Sequence, residues 1–225
     1  MERTPVVAAF DLDGTLTTGG SVFRWLRVVA GDRVAYEAAL RLGLPLVNGA
    51  LRSGTAADQA KERLFRALLA GRDLDQVTAV SRFFILAHLA AHRRNEVVAR
   101  LEWHRARGDD VVIVSASPQI YVDVVAEQVG ADGAIGTRLA VDTGGRLTGG
   151  YDGLNCRGEE KLRRTREWMS QREYDRTPEV FAYGNSRGDR RLLASADHPF
   201  DVGRLGPLGA LRRYPRLGTD WAVQA

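Results

Sequence analysis

Cysteine occurs once in this chain, at Cys156, so no intramolecular disulfide can form and no cysteine-based zinc cluster is available. A reducing compartment suits such a sequence. Long apolar runs are also missing. The longest, around Leu40 to Leu51, is interrupted by Arg41, Gly43, Pro45 and Asn48 and falls far short of the roughly 20 residues a spanning helix needs. The opening residues lead directly into a short apolar segment, with no signal-peptide h-region or small-residue cleavage site. The expectation is a cytoplasmic protein without membrane insertion. Lysine is nearly absent as well: it appears only at positions 61 and 161, and arginine supplies the other basic side chains. Each lysine therefore raises the question of whether a compact ammonium is needed there. The net charge of +4 is spread along the chain with acidic neighbours, as in Glu159-Glu160-Lys161, so no basic stripe for nucleic acid is present and none is expected as a partner. No internal repeat or low-complexity tract occurs, and nothing in the sequence addresses oligomeric state.

What is present is ordinary globular material: 225 residues, 44% hydrophobic and 27% charged. Val6 to Phe10 is a continuous apolar run that ends in Asp11-Leu-Asp-Gly-Thr15, the pattern of a central parallel strand buried on both faces. Val111 to Val114 repeats the pattern and ends in Ser115-Ala-Ser-Pro118. Val180 to Tyr183 does so again and ends in Gly184-Asn-Ser-Arg-Gly-Asp189. In open α/β sheets ligands bind outside the carboxyl ends of the strands, so these three loops are expected to converge. Nearly a hundred residues separate the first two strands, too many for one crossover, and they read as helices, with Val77, Val80, Phe84 and Ala87 as one apolar face. The fold class is therefore α/β: a doubly wound, Rossmann-like parallel-sheet core formed by residues 1–17 and 101–225, with an inserted α-helical cap over 18–100. Pro118 opens a helix to about Val129, with Ile120, Val124 and Val125 toward the core. Residues 142–146 mark a hairpin, 159–171 a charged surface helix, and 203–218 an irregular basic stretch.

Asp11 and Asp13 stand two residues apart at a strand end, where both can enter one site and a divalent cation would offset their repulsion. One carboxylate can attack phosphorus while the other protonates the leaving oxygen and later activates water. Alone, Asp-x-Asp reads more readily as a solvated turn. Ser115 offers a hydroxyl to a phosphate oxygen, Lys161 an ammonium, and Asn185 with Asp189 an amide oxygen and a carboxylate four residues apart. Each also has a bland reading as a strand end, a surface lysine or a helix cap.

Taken in order, these segments resemble the haloacid dehalogenase superfamily. Phe10-Asp-Leu-Asp-Gly-Thr-Leu16 is similar to its first motif, Val114-Ser-Ala-Ser to its second, Lys161 to its third and Gly184-Asn-Ser-x-x-Asp189 to its fourth. The long insertion is similar to the helical cap of the branch that contains phosphoserine phosphatase. The resemblance implies a magnesium-dependent phosphatase, a hydrolase acting on a small-molecule phosphate ester through an aspartyl-phosphate. Asp11 would be the nucleophile, Asp13 the general acid and base, and Gly14 and Thr15 would shape their loop. Ser115 and Lys161 would hold the phosphoryl oxygens. Magnesium would be held by Asp11, the Asp13 carbonyl and Asn185, with Asp189 orienting Lys161 or a metal-bound water.

Two departures stand out. Asn185 replaces the family's usual aspartate, which removes one negative charge from the metal site. Gly20 replaces the glutamate that receives the ammonium of phosphoserine, so specificity for that substrate is not expected, and nearby Arg24 and Trp25 suit a different leaving group. A phosphotransferase of the same fold and a catalytically idle binding module are the alternatives. His88 and His92 have the i, i+4 spacing of a zinc clamp but lack an evident third ligand.

Overall fold

The computed structural model describes residues 3–43, 55–203 and 214–217, with side chains from 58 onward in the second stretch. In chain order the elements are β1 (Val6–Phe10), α1 (Val22–Ala30), α2 (Asp32–Arg41), α3 (Thr55–Leu69), α4 (Leu74–His92), α5 (Asn95–Ala106), β2 (Asp110–Pro118), α6 (Gln119–Val129), β3 (Gly133–Thr137), β4 (Leu139–Val141), β5 (Leu147–Tyr151), α7 (Glu159–Ser170), β6 (Glu179–Gly184), α8 (Arg190–Ser195) and β7 (His198–Asp201). A short 3₁₀ turn, Arg187–Asp189, leads into α8. Much of the basic C-terminal stretch and part of the interrupted apolar run lie outside the described residues.

Five strands form one parallel sheet in the order β3-β2-β1-β6-β7. Every residue of β1 is buried, because the strand is central and covered on both faces. Val7 and Ala9 join Val112, Val114, Leu192 and Leu193 on one face, while Ala8 and Phe10 join Ile113, Leu101 and Tyr121 on the other. This two-sided burial is why β1 is written as a continuous apolar run rather than an alternating one. Val7 and Phe10 each contribute about 1.5–3 kcal/mol on full burial, and the two alanines less. Phe10 also stacks on Tyr183 of the adjacent strand, centroids 4.3 Å apart. The doubly wound parallel architecture is the one expected from the three apolar runs, and the hairpin expected around 142–146 is the antiparallel pair β4–β5.

The expectations for two helices need correction. α4 forms where the apolar spacing placed a helix, but its buried face is Val77, Ser81, Ile85, His88 and Leu89, while Val80 is exposed. Apolar residues surround this helix, so periodicity alone does not select a face; the Trp25 indole, which donates to Ser81 Oγ at 2.7 Å, does. α7 is charged as expected, yet Glu160, Lys161 and Thr165 on its inner face are buried. The helix is thus a surface element on one side only.

The boundary at residue 100 falls within α5, whose Arg100 and His104 reach Tyr183 of the sheet. Among the described residues, no helix is long and apolar enough to cross a membrane.

Candidate active site

β1 ends by delivering Asp11 to the carboxyl edge of the sheet, its main-chain N–H donating to Tyr183 O at 3.0 Å. The side chain is 6% exposed and both oxygens are engaged. Lys161 Nζ donates to Oδ1 at 2.9 Å and Thr15 Oγ1 donates to Oδ2 at 2.9 Å. The loop that permits this turns at Gly14, where φ is +84°. A Cβ there would lie 1.8 Å from Asn185 Nδ2, so glycine is required by conformation and by space.

Lys161 also donates to Asp189 Oδ1 at 2.5 Å. The second oxygen of Asp189 accepts from the N–H groups of Asn185 and Ser186 and from Ser186 Oγ, in a capping box that fixes the loop after β6. One ammonium therefore serves two buried carboxylates. Burial pushes the Asp11 carboxyl up, and the Asp189 charge pushes further than Lys161 can offset, to about 7. For Asp189 burial acts in the same upward direction, but the Lys161 ammonium and the Ser186 hydrogen bonds outweigh it and hold the group below its ordinary value. Burial disfavours the Lys161 ammonium too, yet the two carboxylates keep its proton bound more firmly than usual.

Asp13 is held by a different set. Its Oδ1 accepts from Ser21 N at 2.7 Å, and Oδ2 accepts from Ser21 Oγ at 3.0 Å and Ser117 Oγ at 2.6 Å. Tyr121 Oη lies 2.9 Å from Ser21 Oγ and completes a buried hydroxyl cluster. Ser115 is 1% exposed, and its Oγ accepts from Ser117 N at 3.1 Å at the C-terminal end of β2, where the register with β3 shifts between Val114 and Pro118.

Asn185 Oδ1 is buried and has no hydrogen-bond partner. A buried amide oxygen without a donor is costly unless something positive approaches it. Here it sits over Gly14, beside a carboxylate surplus, and hard oxygen donors of this kind suit magnesium. Among the described residues, no group of three His, Cys, Asp or Glu side chains is arranged to hold a metal, and His88 and His92 find no third such ligand among them.

The structure thus brings Asp11, Thr15, Lys161 and Asp189 into direct contact, places Asn185 against Gly14, and sets Asp13 and Ser115 in the adjoining hydroxyl cluster. Gly20 and Arg24 are exposed, and Trp25 is core rather than site. Four contributors escaped the sequence reading. Ser117 lay inside a quoted motif and Ser21 one residue past Gly20. Arg94 had no signal at all, although its Nη1 donates to Gly14 O at 3.0 Å and also to Val202 O. Lys61 had the signal of rarity. It is 6% exposed on α3 and donates to Ala116 O at 2.5 Å and to Asn155 Oδ1 at 3.0 Å, with burial lowering its pKa to about 8. Both lysines of the chain are consequently buried at this edge of the sheet.

Comparison with known proteins agrees with the fold. A family profile for haloacid dehalogenase-like hydrolases matches residues 8–194. The chain is 38% identical over 200 residues to protein CicA of Caulobacter vibrioides, covering 88% of this chain and 86% of that one. It is 24% identical over 201 residues to a histidinol-phosphatase of Neisseria meningitidis serogroup C, covering 87% and 89%. A solved structure of a protein of unknown function from Bordetella pertussis Tohama I superposes with a TM-score of 0.73 at 24% identity, covering 88% and 90%.

Proposed function

Because the chain belongs to the haloacid dehalogenase-like hydrolase family, we propose that it is a magnesium-dependent phosphatase of small phosphate esters, with Asp11 as nucleophile. The observation that carries this reading is the Asp11 carboxylate, buried at the carboxyl end of the central strand and oriented through both oxygens by Lys161 and Thr15. Orientation of that kind presents a fixed oxygen to phosphorus. In the first step an Asp11 oxygen bonds to phosphorus as the ester P–O bond breaks, and Asp13 gives its proton to the leaving oxygen. In the second, Asp13 takes a proton from water as that water attacks the phosphorus of the aspartyl-phosphate, which releases inorganic phosphate and restores Asp11. The Lys161 ammonium faces the charge that gathers on the phosphoryl oxygens, and Ser115 supplies a donor from the C-terminal end of β2.

Asp11, the Asp13 carbonyl and Asn185 Oδ1 would hold magnesium, whose charge offsets the carboxylate surplus and favours the ionised nucleophile. Water exclusion falls to the helices between β1 and β2: α1 begins directly after Ser21, α3 carries Lys61 and α4 carries His88, and together they act as the cap over residues 18–100.

The test is phosphate release from a panel of metabolite phosphates, with and without magnesium, for the wild type and Asp11→Asn. Magnesium-dependent release that disappears in the variant supports the reading. Release that survives Asp11→Asn overturns it, and transfer to an added alcohol in preference to water would make the protein a phosphotransferase.

A further inference from the structure

Beyond Asp13, the described helices present basic and hydrogen-bonding groups. His88 is 5% exposed on the inner face of α4, and its Nε2 is buried without any hydrogen-bond partner. The ring is fixed rather than free: it stacks on Phe84 at 5.5 Å, and Phe84 in turn packs edge-on against Tyr121, the residue that closes the Asp13 hydroxyl cluster. His92 lies one turn further along, ring centroid 4.7 Å from His88, and Arg24 of α1 reaches His92 Nε2. The charges of described residues that act on His88 are Asp13 on one side and Arg24 and His92 on the other. Burial, reinforced by those two basic groups against Asp13, holds His88 below its ordinary pKa, so the ring is neutral near pH 7 and carries one N–H to donate. Gly20, ahead of α1, offers no carboxylate.

We propose that Arg24, His88 and His92 form a leaving-group subsite that selects phosphate esters bearing a second anionic group, such as a carboxylate, on the leaving alcohol. The inference rests on the phosphatase reading and adds the substrate class to it. A carboxylate there would accept from His88, meeting the need of its buried nitrogen, and would face the Arg24 guanidinium. An ammonium would instead face the like charge of the Arg24 guanidinium with no carboxylate at Gly20 to receive it, and a site whose charged groups are left unpaired by the wrong ligand discriminates against it. The subsite is thus specified as much by what it lacks as by what it holds.

Three esters of nearly equal size test this: 2-phosphoglycolate, 2-hydroxyethyl phosphate and phosphoethanolamine, alongside p-nitrophenyl phosphate as a general reporter of phosphatase activity. The expected order of kcat/KM is carboxylate, then hydroxyl, then ammonium, with at least a tenfold span from first to last. Arg24→Met and His88→Leu should each compress that span by several-fold, and His88→Gln, whose amide can donate from a similar position, should restore part of it. Arg24 is exposed, so its variant folds independently of any effect on the α4 packing. A span at or below unity in the wild type, or an unchanged span in both Arg24→Met and His88→Leu, overturns the subsite while p-nitrophenyl phosphate turnover leaves the phosphatase reading standing. Absence of phosphate release from all four esters overturns the phosphatase reading itself.

Discussion

Two buried polar clusters flank the middle of the sheet, and they are made from similar groups. At the carboxyl edge, Lys161 joins Asp11 and Asp189. Under α5, His104 lies between Asp109 and Tyr183: Nδ1 is 2.7 Å from Asp109 Oδ2 and Nε2 is 2.8 Å from Tyr183 Oη. Arg100 Nε donates to the same phenol at 2.8 Å, and Arg3 pairs with Asp109. The second cluster closes on itself. Tyr183 donates to Nε2 and the Nδ1–H donates to Asp109, so a neutral ring satisfies every neighbour. The first does not close: one ammonium answers two carboxylates, and Asn185 Oδ1 has no donor. An acid–histidine–hydroxyl arrangement resembles a catalytic triad in the abstract, but His104 is 0% exposed and has no capacity left. Chemistry belongs where polar capacity is left over, and the comparison can be broken by finding activity loss at the closed cluster or stability loss at the open one.

The largest expected effect separates them directly. Asp11→Asn should lower turnover by about 10⁴-fold or more, because the proposed nucleophile is lost, while leaving thermal stability equal or higher, because one of two like charges sharing Lys161 is removed. His104→Ala should do the reverse. It leaves the Asp109 carboxylate and the Tyr183 hydroxyl without their shared partner, a cost of roughly 3 kcal/mol, with turnover of the folded fraction within a few-fold of the wild type. Denaturant unfolding and phosphate release on the same two variants settle both halves.

The closed cluster also predicts a pH dependence of stability. Burial, against the pull of Asp109, lowers the His104 pKa from 6.5 to about 4. Between those values the unfolded chain binds a proton that the folded chain refuses, so stability rises with pH in that window. The contribution is present above about pH 6.5 and is lost progressively as pH falls toward 4, by roughly 3 kcal/mol at most. Chemical denaturation from pH 7 to pH 4 should show that slope, and His104→Gln should flatten it.

At the open cluster, Asn185→Asp supplies a charge where the amide oxygen now waits. Magnesium affinity should tighten by about tenfold with activity retained, since carboxylates bind this cation more strongly than amides. Titration of magnesium against turnover and by calorimetry checks it, and unchanged or weaker affinity would remove Asn185 from the metal site.

Much of this contrast was legible in the sequence. The open cluster sits at the ends of apolar strands, so local pattern marked Asp11, Ser115 and Asn185 as candidates and the parallel sheet came with them, while their roles came from the family resemblance. What stayed hidden depends on residues distant in sequence meeting in space. His104 gave no local sign of pairing with Tyr183, 79 positions away. Arg94 is one of many arginines, yet only the fold brings it to Gly14 O. The buried face of α4 was misread because an all-round apolar helix carries no periodic label, and with it the burial of His88 went unseen.

Lys61 stands between the two cases and offers the finest test. It was marked by rarity, but its partners, the Ala116 carbonyl and Asn155, come from the C-terminal end of β2 and the segment before α7. Its ammonium is satisfied, as in the closed cluster, yet it feels the charge of Asp13, as in the open one. If satisfaction alone decides, Lys61→Met should cost about 1 kcal/mol of stability and nothing in rate. If Lys61 instead holds the Ser115–Ser117 turn in register for phosphate, kcat/KM should fall about fivefold while stability changes by less than that, since burying methionine in place of a desolvated ammonium offsets the lost hydrogen bonds. We expect the second outcome, because the carbonyl that Lys61 grips lies between Ser115, the proposed phosphate donor, and Ser117, the residue that holds Asp13. Parallel kinetics and unfolding of this one variant place Lys61 with the open cluster or the closed one.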